Sequence, residues 1–104
     1  MSGPDLSVGR GVIAEVARLS ALEVNDVLRV GRGGPRWRVA LAGSPIAVRV
    51  TGDQVSVRLW IIARPGADLG STTRAVRAAV AAAIERLLGL GVEGVTVVVD
   101  GIGT

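Results

Sequence analysis

The sequence predicts an α+β protein, a two-layer sandwich in which two helices cover one face of a mixed, mostly antiparallel sheet. Two segments have helical periodicity, and the chain between them alternates apolar and polar residues. A run rich in β-branched residues follows the second helix. The predicted order is therefore helix, strands, helix, strand. Because 104 residues can bury only one core, residues 1–104 are predicted to be a single domain.

The first helix is predicted over Gly11–Leu22. Its apolar residues recur at spacings of three and four, which places them on one face. The expected stripe comprises Val12, Val16 and Leu19, with Ile13, Ala17 and Ala21 beside it. Ser7 or Gly9 is expected to cap the first turn, and residues 1–8 are expected to be flexible.

Strands are predicted next. Val27–Val30 is short and is closed by Gly31–Pro35, a composition typical of a turn or mobile loop. Arg36–Leu41 alternates apolar and polar residues and predicts a returning hairpin strand. Residues 31–45 are therefore interpreted as a loop or hairpin insertion.

The longest strand is predicted over Gln54–Arg64, after a strand at Ile46–Val50 and a turn at Thr51–Gln54. One of its faces is expected to carry Val55, Val57, Leu59, Ile61 and Ala63. The alternation leaves a mixed aromatic and basic set on the other face.

The second helix is predicted to begin after Asp68 or Ser71 and to end at Leu88, with Gly89 as a left-handed cap. Its expected apolar stripe comprises Val76, Val80, Ile84, Leu87 and Leu88. The last strand is predicted at Val95–Val99. It should run parallel to the longest strand, because strand–helix–strand crossovers are right-handed.

The side-chain inventory favours a binding or scaffolding module over an enzyme. The chain has no His, Cys, Lys or Tyr, which removes most general acid–base groups, most nucleophiles and the soft metal ligands. The nine acidic residues are scattered singly, without the spacing of an acid–base pair or a metal site. We therefore predict no catalytic, cofactor-binding or metal residues, no cofactor and no small-molecule substrate.

Charge and hydropathy predict a cytoplasmic protein. Met1–Asp5 has neither the basic nor the apolar region of a secretory signal, and no stretch reaches the roughly 18 apolar residues of a membrane span. The sequence pI of 11.3 arises because every cation is arginine, whereas the net charge is only +3. Nucleic acid is therefore disfavoured as a partner.

Two clusters are candidate contact sites. The first is a partner-binding surface on the outer face of the longest strand, because Trp and Arg are frequent in interface hot spots. It comprises Arg49, Arg58, Trp60, Ile62 and Arg64. The alternative is that Trp60 packs under residues 31–45, or that arginine stems merely cover it.

The second cluster, Arg36, Trp37 and Arg38 beside a glycine loop, is similar to the stacking and phosphate-binding elements of nucleic-acid-binding proteins. The alternative is that Trp37 faces the core from a strand edged by solvated arginines. The net charge favours the second interpretation.

Three segments together resemble the alkaline shock protein family of bacterial envelope-stress proteins. The first is the helix and strand start within Gly9–Val27, and the second is the alternating double strand Ile46–Ile62. The third and most specific is Arg64–Ile102, which is similar to the turn, helix and G-L-x-V-x-x-V-x-V-x-V-x-G-I strand of that family. The chain departs from the family at Pro65, where the family has Tyr, and in the insertion Gly31–Ser44.

The resemblance implies a non-enzymatic cytoplasmic protein that associates with itself and lies at the inner face of the membrane through a membrane-embedded partner. The expected function is therefore an envelope-stress-type scaffold or adaptor that forms a homo-oligomer and binds a protein partner. The alternative is a small arginine-rich nucleic-acid-binding domain.

Overall fold

The computed structural model describes residues 9–103. Its elements are helix α1 (Arg10–Leu22), strand β1 (Val27–Val30), helix α2 (Arg36–Ala42), strand β2 (Ile46–Thr51), strand β3 (Gln54–Ala63), helix α3 (Leu69–Leu88) and strand β4 (Gly91–Ile102). Helices α1 and α3 pack together over one face of a four-stranded sheet. The predicted α+β class is confirmed. The expectations for Ser7 and for residues 1–8 fall outside the described residues.

Strand β3 is the centre of the sheet. Strand β4 pairs with it in parallel along one edge, as the crossover rule predicts. Strands β1 and β2 both pair antiparallel with the other edge, end to end: Val30 lies opposite Ile61, and Ile46 lies opposite Leu59. They are therefore two halves of one strand, and residues 31–45 form an excursion between them.

The prediction of a hairpin strand over Arg36–Leu41 is wrong, because these residues belong to helix α2. Both edges of β3 are already occupied, so a further strand would have no partner there. Arg, Ala and Leu also have high helix propensity. The backbone C=O of Pro35 accepts from the N–H groups of Arg38 and Val39, at 3.0 Å each, and starts the helix.

The core lies between the helices and the inner face of the sheet. The five alternating apolar residues of β3 are all buried there, as predicted, and Val76, Val80 and Ile84 of α3 pack onto them. The predicted stripe is wrong at Leu87, which is 63% exposed. Leu87 lies on the same side of α3 as Val80 and Ala83, but in the last turn, beyond Ile84, which is the last buried residue of the helix.

The predicted stripe of α1 is rotated in the structure. Helix α1 buries Ile13, Ala17, Ser20 and Ala21. Val12 and Leu19 are about half exposed. The small side chains on the buried face let α1 approach α3 and the sheet closely. On the exposed face of α1, Arg18 donates to the carboxylate of Glu15 and lowers its pKa.

The ends of α3 follow the prediction. The side chain of Asp68 accepts from the N–H of Ser71 at 3.0 Å, and Gly89 closes the helix in the left-handed conformation with φ 69°. Strand β4 begins at Gly91, earlier than its β-branched run, because β3 offers pairing partners along its whole length.

Candidate functional site

The outer face of the sheet carries a shallow groove, which we call the outer groove. Its lining residues all belong to strands β2, β3 and β4. Arg49 and Arg58 are exposed at its side, Trp60 is half-buried at its end, and the register of β3 with β4 brings Thr96 opposite Arg58. The groove has a volume of about 480 Å³ and is lined by Ala47, Val48, Arg49, Ser56, Val57, Arg58, Trp60, Gly94 and Thr96.

The structure separates the other two predicted surface residues from this groove. Ile62 is only 2% exposed, with glycines of the 31–34 loop and of the chain after β4 close to its side chain. The Nε of Arg64 donates to the backbone C=O of Asn25 at 2.8 Å, beyond the end of β3. The available contact surface is therefore Arg49, Arg58 and the open part of Trp60.

A short loop, residues 31–34, crosses the sheet and covers Trp60. The guanidinium carbon of Arg32 lies 3.7 Å from the centre of the Trp60 ring, in a cation–π stack. The N–H of Gly33 donates to the Oδ2 of Asp100 at 2.7 Å. A Cβ at position 33 would collide with the backbone carbonyl of Asp100, so this crossing requires glycine. Sequence reasoning missed Arg32 and Asp100, since their contacts are distant in sequence.

Helix α2 presents its apolar side chains to solvent. None of its seven residues is buried. Trp37 is 68% and Leu41 is 80% exposed, and their spacing of four places them on one face. The core-facing interpretation of Trp37 is therefore wrong. Arg36 and Arg38 are exposed on the same helix.

The chain around α2 is strongly basic. Residues 27–52 contain no acidic residue and five arginines, which are Arg29, Arg32, Arg36, Arg38 and Arg49. Three of them line a pocket of about 390 Å³ between β1 and α2. The net charge of +3 does not reveal this basic segment, because the acidic residues elsewhere in the chain offset its arginines. The signal that sequence reasoning overlooked is the 26-residue gap between Asp26 and Asp53.

Strand β4 forms one edge of the sheet. Within residues 9–103 its only strand partner is β3, so one row of its backbone N–H and C=O groups faces away from the sheet. Its register with β3 shifts near Glu93 and near Asp100, and is regular over Gly94–Val99.

Two further features bear on chemistry. In the described part of the chain, no three acidic side chains lie close enough together to hold a metal ion. No helix among the same residues has the length and apolar character needed to cross a membrane.

Comparison with known proteins gives a family and a fold. The sequence profile of the alkaline shock protein 23 family, described by a cell envelope-related function, matches residues 4–104. No curated protein matches the chain by sequence. Similar solved structures include two variants of MamM CTD, one of them a copper form. Each is 15% identical with a TM-score of 0.60, over 91% of this chain and 100% of that chain. A triple variant of MamM CTD gives a TM-score of 0.58, again at 15% identity, over 89% and 95% of the two chains. At this identity the likeness shows the fold alone.

Proposed function

The chain belongs to the alkaline shock protein 23 family, and from this membership we propose that it is a non-enzymatic scaffold or adaptor with an envelope-related, stress-type role. In this proposal the protein self-associates and binds a protein partner. Its place of action is the cytoplasm, at the inner face of the membrane, where a membrane-anchored partner holds it.

The proposal of self-association is supported by the edge of β4 that no other described strand pairs with. Its regular stretch, Gly94–Val99, contains no charged residue and no proline, which are the usual devices that prevent edge-to-edge pairing. Four of its six residues are valines, which have high β propensity. A second copy of the chain could satisfy the outward N–H and C=O groups by adding its own β4.

The opposite edge of the sheet is a poorer template. It is divided between β1, with four residues, and β2, with six, and the insertion emerges between them. We therefore infer an antiparallel β4–β4 contact across a two-fold axis, the commonest symmetry of homo-oligomers.

The test is the oligomeric state of the purified protein, measured by sedimentation and light scattering over a range of concentrations. We expect a concentration-dependent dimer. Thr96→Lys places an exposed cation on β4, and the two-fold axis brings two such cations together. We expect dimerisation to weaken by about fivefold or more.

Thr51→Lys is the matched control, because Thr51 is also exposed in an edge strand but lies on β2. It should leave the dimer unchanged. A monomer at every concentration would contradict self-association, and an equal effect of the two lysines would contradict the β4 edge.

The outer groove is the proposed site for the protein partner. Arg49 and Arg58 are exposed and can pair with acidic side chains, while Trp60 offers an apolar surface beside them. A fluorescent fusion should concentrate at the cell periphery, and Arg58→Glu should lower the peripheral fraction. Arg77→Glu, on the exposed side of α3, should leave that fraction unchanged. An equal peripheral fraction in the parent and in Arg58→Glu would remove the groove from the proposal.

Nucleic-acid binding remains the second candidate, because Arg36, Trp37 and Arg38 are exposed together on α2. Phosphate contacts make such binding fall steeply with salt. An oligonucleotide titration at low salt is expected to show affinity no tighter than millimolar, since one short helix offers few phosphate contacts. Tighter binding that falls with added salt would favour this candidate.

A further inference from the structure

We propose that α2 is a membrane-contacting helix that inserts Trp37 and Leu41 into the surface of an anionic lipid bilayer. Trp37 is 68% and Leu41 is 80% exposed, and no other large apolar side chain among the described residues is as open as either. They lie one helical turn apart, on the same face. The two side chains therefore form a single apolar projection on the molecular surface.

The stability of α2 indicates that this projection has an apolar partner. A helix gains most of its stability in proteins by burying an apolar face, and one as short as seven residues is marginal alone in water. Helix α2 fully buries none of its residues, only Val39 is half-buried, and there is no side-chain cap at its N-terminus. Insertion into an apolar boundary would supply the missing burial.

Charge complementarity identifies the partner as anionic. Residues 27–52 hold five arginines and no acidic residue. The remaining chain holds seven arginines and nine acidic residues, a net charge of −2. Positive charge is therefore concentrated in one segment of the chain. An anionic surface would attract α2 and repel the remainder, so the protein would dock with α2 facing that surface.

The shape of the projection favours a bilayer over a protein surface. Trp37 and Leu41 line neither the outer groove nor the pocket between β1 and α2. Trp is enriched at the boundary between lipid headgroups and acyl chains, and arginines beside it can reach the phosphates. The geometry is that of a small interfacial anchor, which gives weak and reversible binding.

This contact is separate from the proposed function, because it uses neither β4 nor the outer groove. A protein that dimerises but does not bind lipid would contradict the lipid contact alone. A protein that binds lipid as a monomer would contradict self-association alone.

The experiment uses the full chain and vesicles of two compositions, pure phosphatidylcholine and equal parts of phosphatidylcholine and phosphatidylglycerol. Co-sedimentation should show binding to the anionic vesicles only, and high salt should weaken it. Trp60→Phe leaves Trp37 as the sole tryptophan. Its emission should then move to shorter wavelength on the anionic vesicles and become shielded from a water-soluble quencher.

Substitutions on α2 separate the apolar and electrostatic contributions. Trp37→Ala combined with Leu41→Ala should weaken vesicle binding by about tenfold or more, because it removes the inserted surface. Arg36→Gln and Arg38→Gln should each weaken it by about fivefold. All four side chains are exposed, so the fold should be unaffected.

Leu87→Ala and Arg77→Gln are the matched controls, since both residues are exposed on α3 and outside the basic segment. They should bind vesicles as the parent does. Absence of binding to anionic vesicles, an unchanged Trp37 emission, or equal losses in the controls would overturn the proposal. So would tighter binding to an oligonucleotide than to vesicles, lost with the same α2 substitutions.

Discussion

Gly33 is the residue on which the covered state of Trp60 depends. Its N–H bonds to Asp100, and its lack of a side chain lets the loop cross the backbone of β4. We expect Gly33→Ala to destabilise the protein by about 1–3 kcal/mol, the usual cost of forcing extra volume into a packed contact. Chemical denaturation would measure the loss. The emission of Trp60, observed with Trp37→Phe, would report whether Arg32 has moved away.

The matched control for that substitution is Gly11→Ala. Gly11 lies within α1, and a Cβ there would contact nothing within 4 Å. Alanine should therefore stabilise the helix, by about 0.5–1 kcal/mol. Equal effects of the two substitutions would show that the contact of Gly33 with Asp100 has no energetic weight.

The face on which a single residue lies was predictable where it follows from the alternation of side chains along a strand. The alternation of β3 placed Val55 in the core and Trp60 on the outer face, because adjacent side chains of a strand point to opposite sides. The same alternation could not show that Arg32 covers Trp60 or that Ile62 is buried. Those facts depend on where the 31–34 loop crosses the sheet, which no local pattern encodes.

At the scale of elements, the insertion has an unusual attachment. The N–H of Gly31 donates to the C=O of Trp60 at 2.8 Å, and the N–H of Trp60 donates to the C=O of Pro45 at 2.9 Å. Both ends of the insertion therefore bond to one residue of β3. The insertion interrupts β1 and β2 at a single position of their shared strand, and the register on either side is consistent with one continuous strand.

A deletion tests this description. Removing residues 32–45 joins Gly31 to Ile46, which keeps Ile46 opposite Leu59. We expect a folded protein whose unfolding free energy lies within about 2 kcal/mol of the parent. The deletion removes contacts, but it also removes the entropic cost of closing the loop, and the two effects offset each other. Thermal denaturation and hydrogen exchange of the joined strand would measure it. The vesicle binding assigned to α2 should be lost.

The control deletion removes one residue more, 31–45. It would place Ile46 opposite Trp60 and turn the side chains of β2 to the wrong face of the sheet. We expect this variant to unfold or to lose most of its stability. Two deletions of equal stability would contradict the shared strand.

Element types were predictable where the segments are long, and ambiguous in the short α2. Over seven residues, R-W-R-V-A-L-A fits both strand alternation and a helical pair at Trp37 and Leu41. Both edges of β3 are taken by other strands, and the N–H groups of Arg38 and Val39 bond to the C=O of Pro35, which starts a helix instead. The period of the sequence contains neither fact.

At the scale of the whole molecule, the two proposed contacts share a geometry. A two-fold axis that relates antiparallel β4 strands stands perpendicular to the sheet, so both copies present the same face in the same direction. The two α2 helices then lie at equal height along that axis. Where Trp37 and Leu41 project along that axis, one flat surface perpendicular to it contacts both helices.

This arrangement predicts that dimerisation strengthens lipid binding. One α2 helix binds weakly, but a second helix on the same dimer meets the bilayer at a high effective concentration. We expect Thr96→Lys, which leaves α2 intact, to weaken binding to anionic vesicles by about tenfold or more when β4 pairing is lost. Thr51→Lys adds the same charge on β2 and should not weaken it. If the monomeric variant bound as tightly as the parent, the two helices could not engage the bilayer together, and the β4–β4 geometry would be wrong even if both contacts exist.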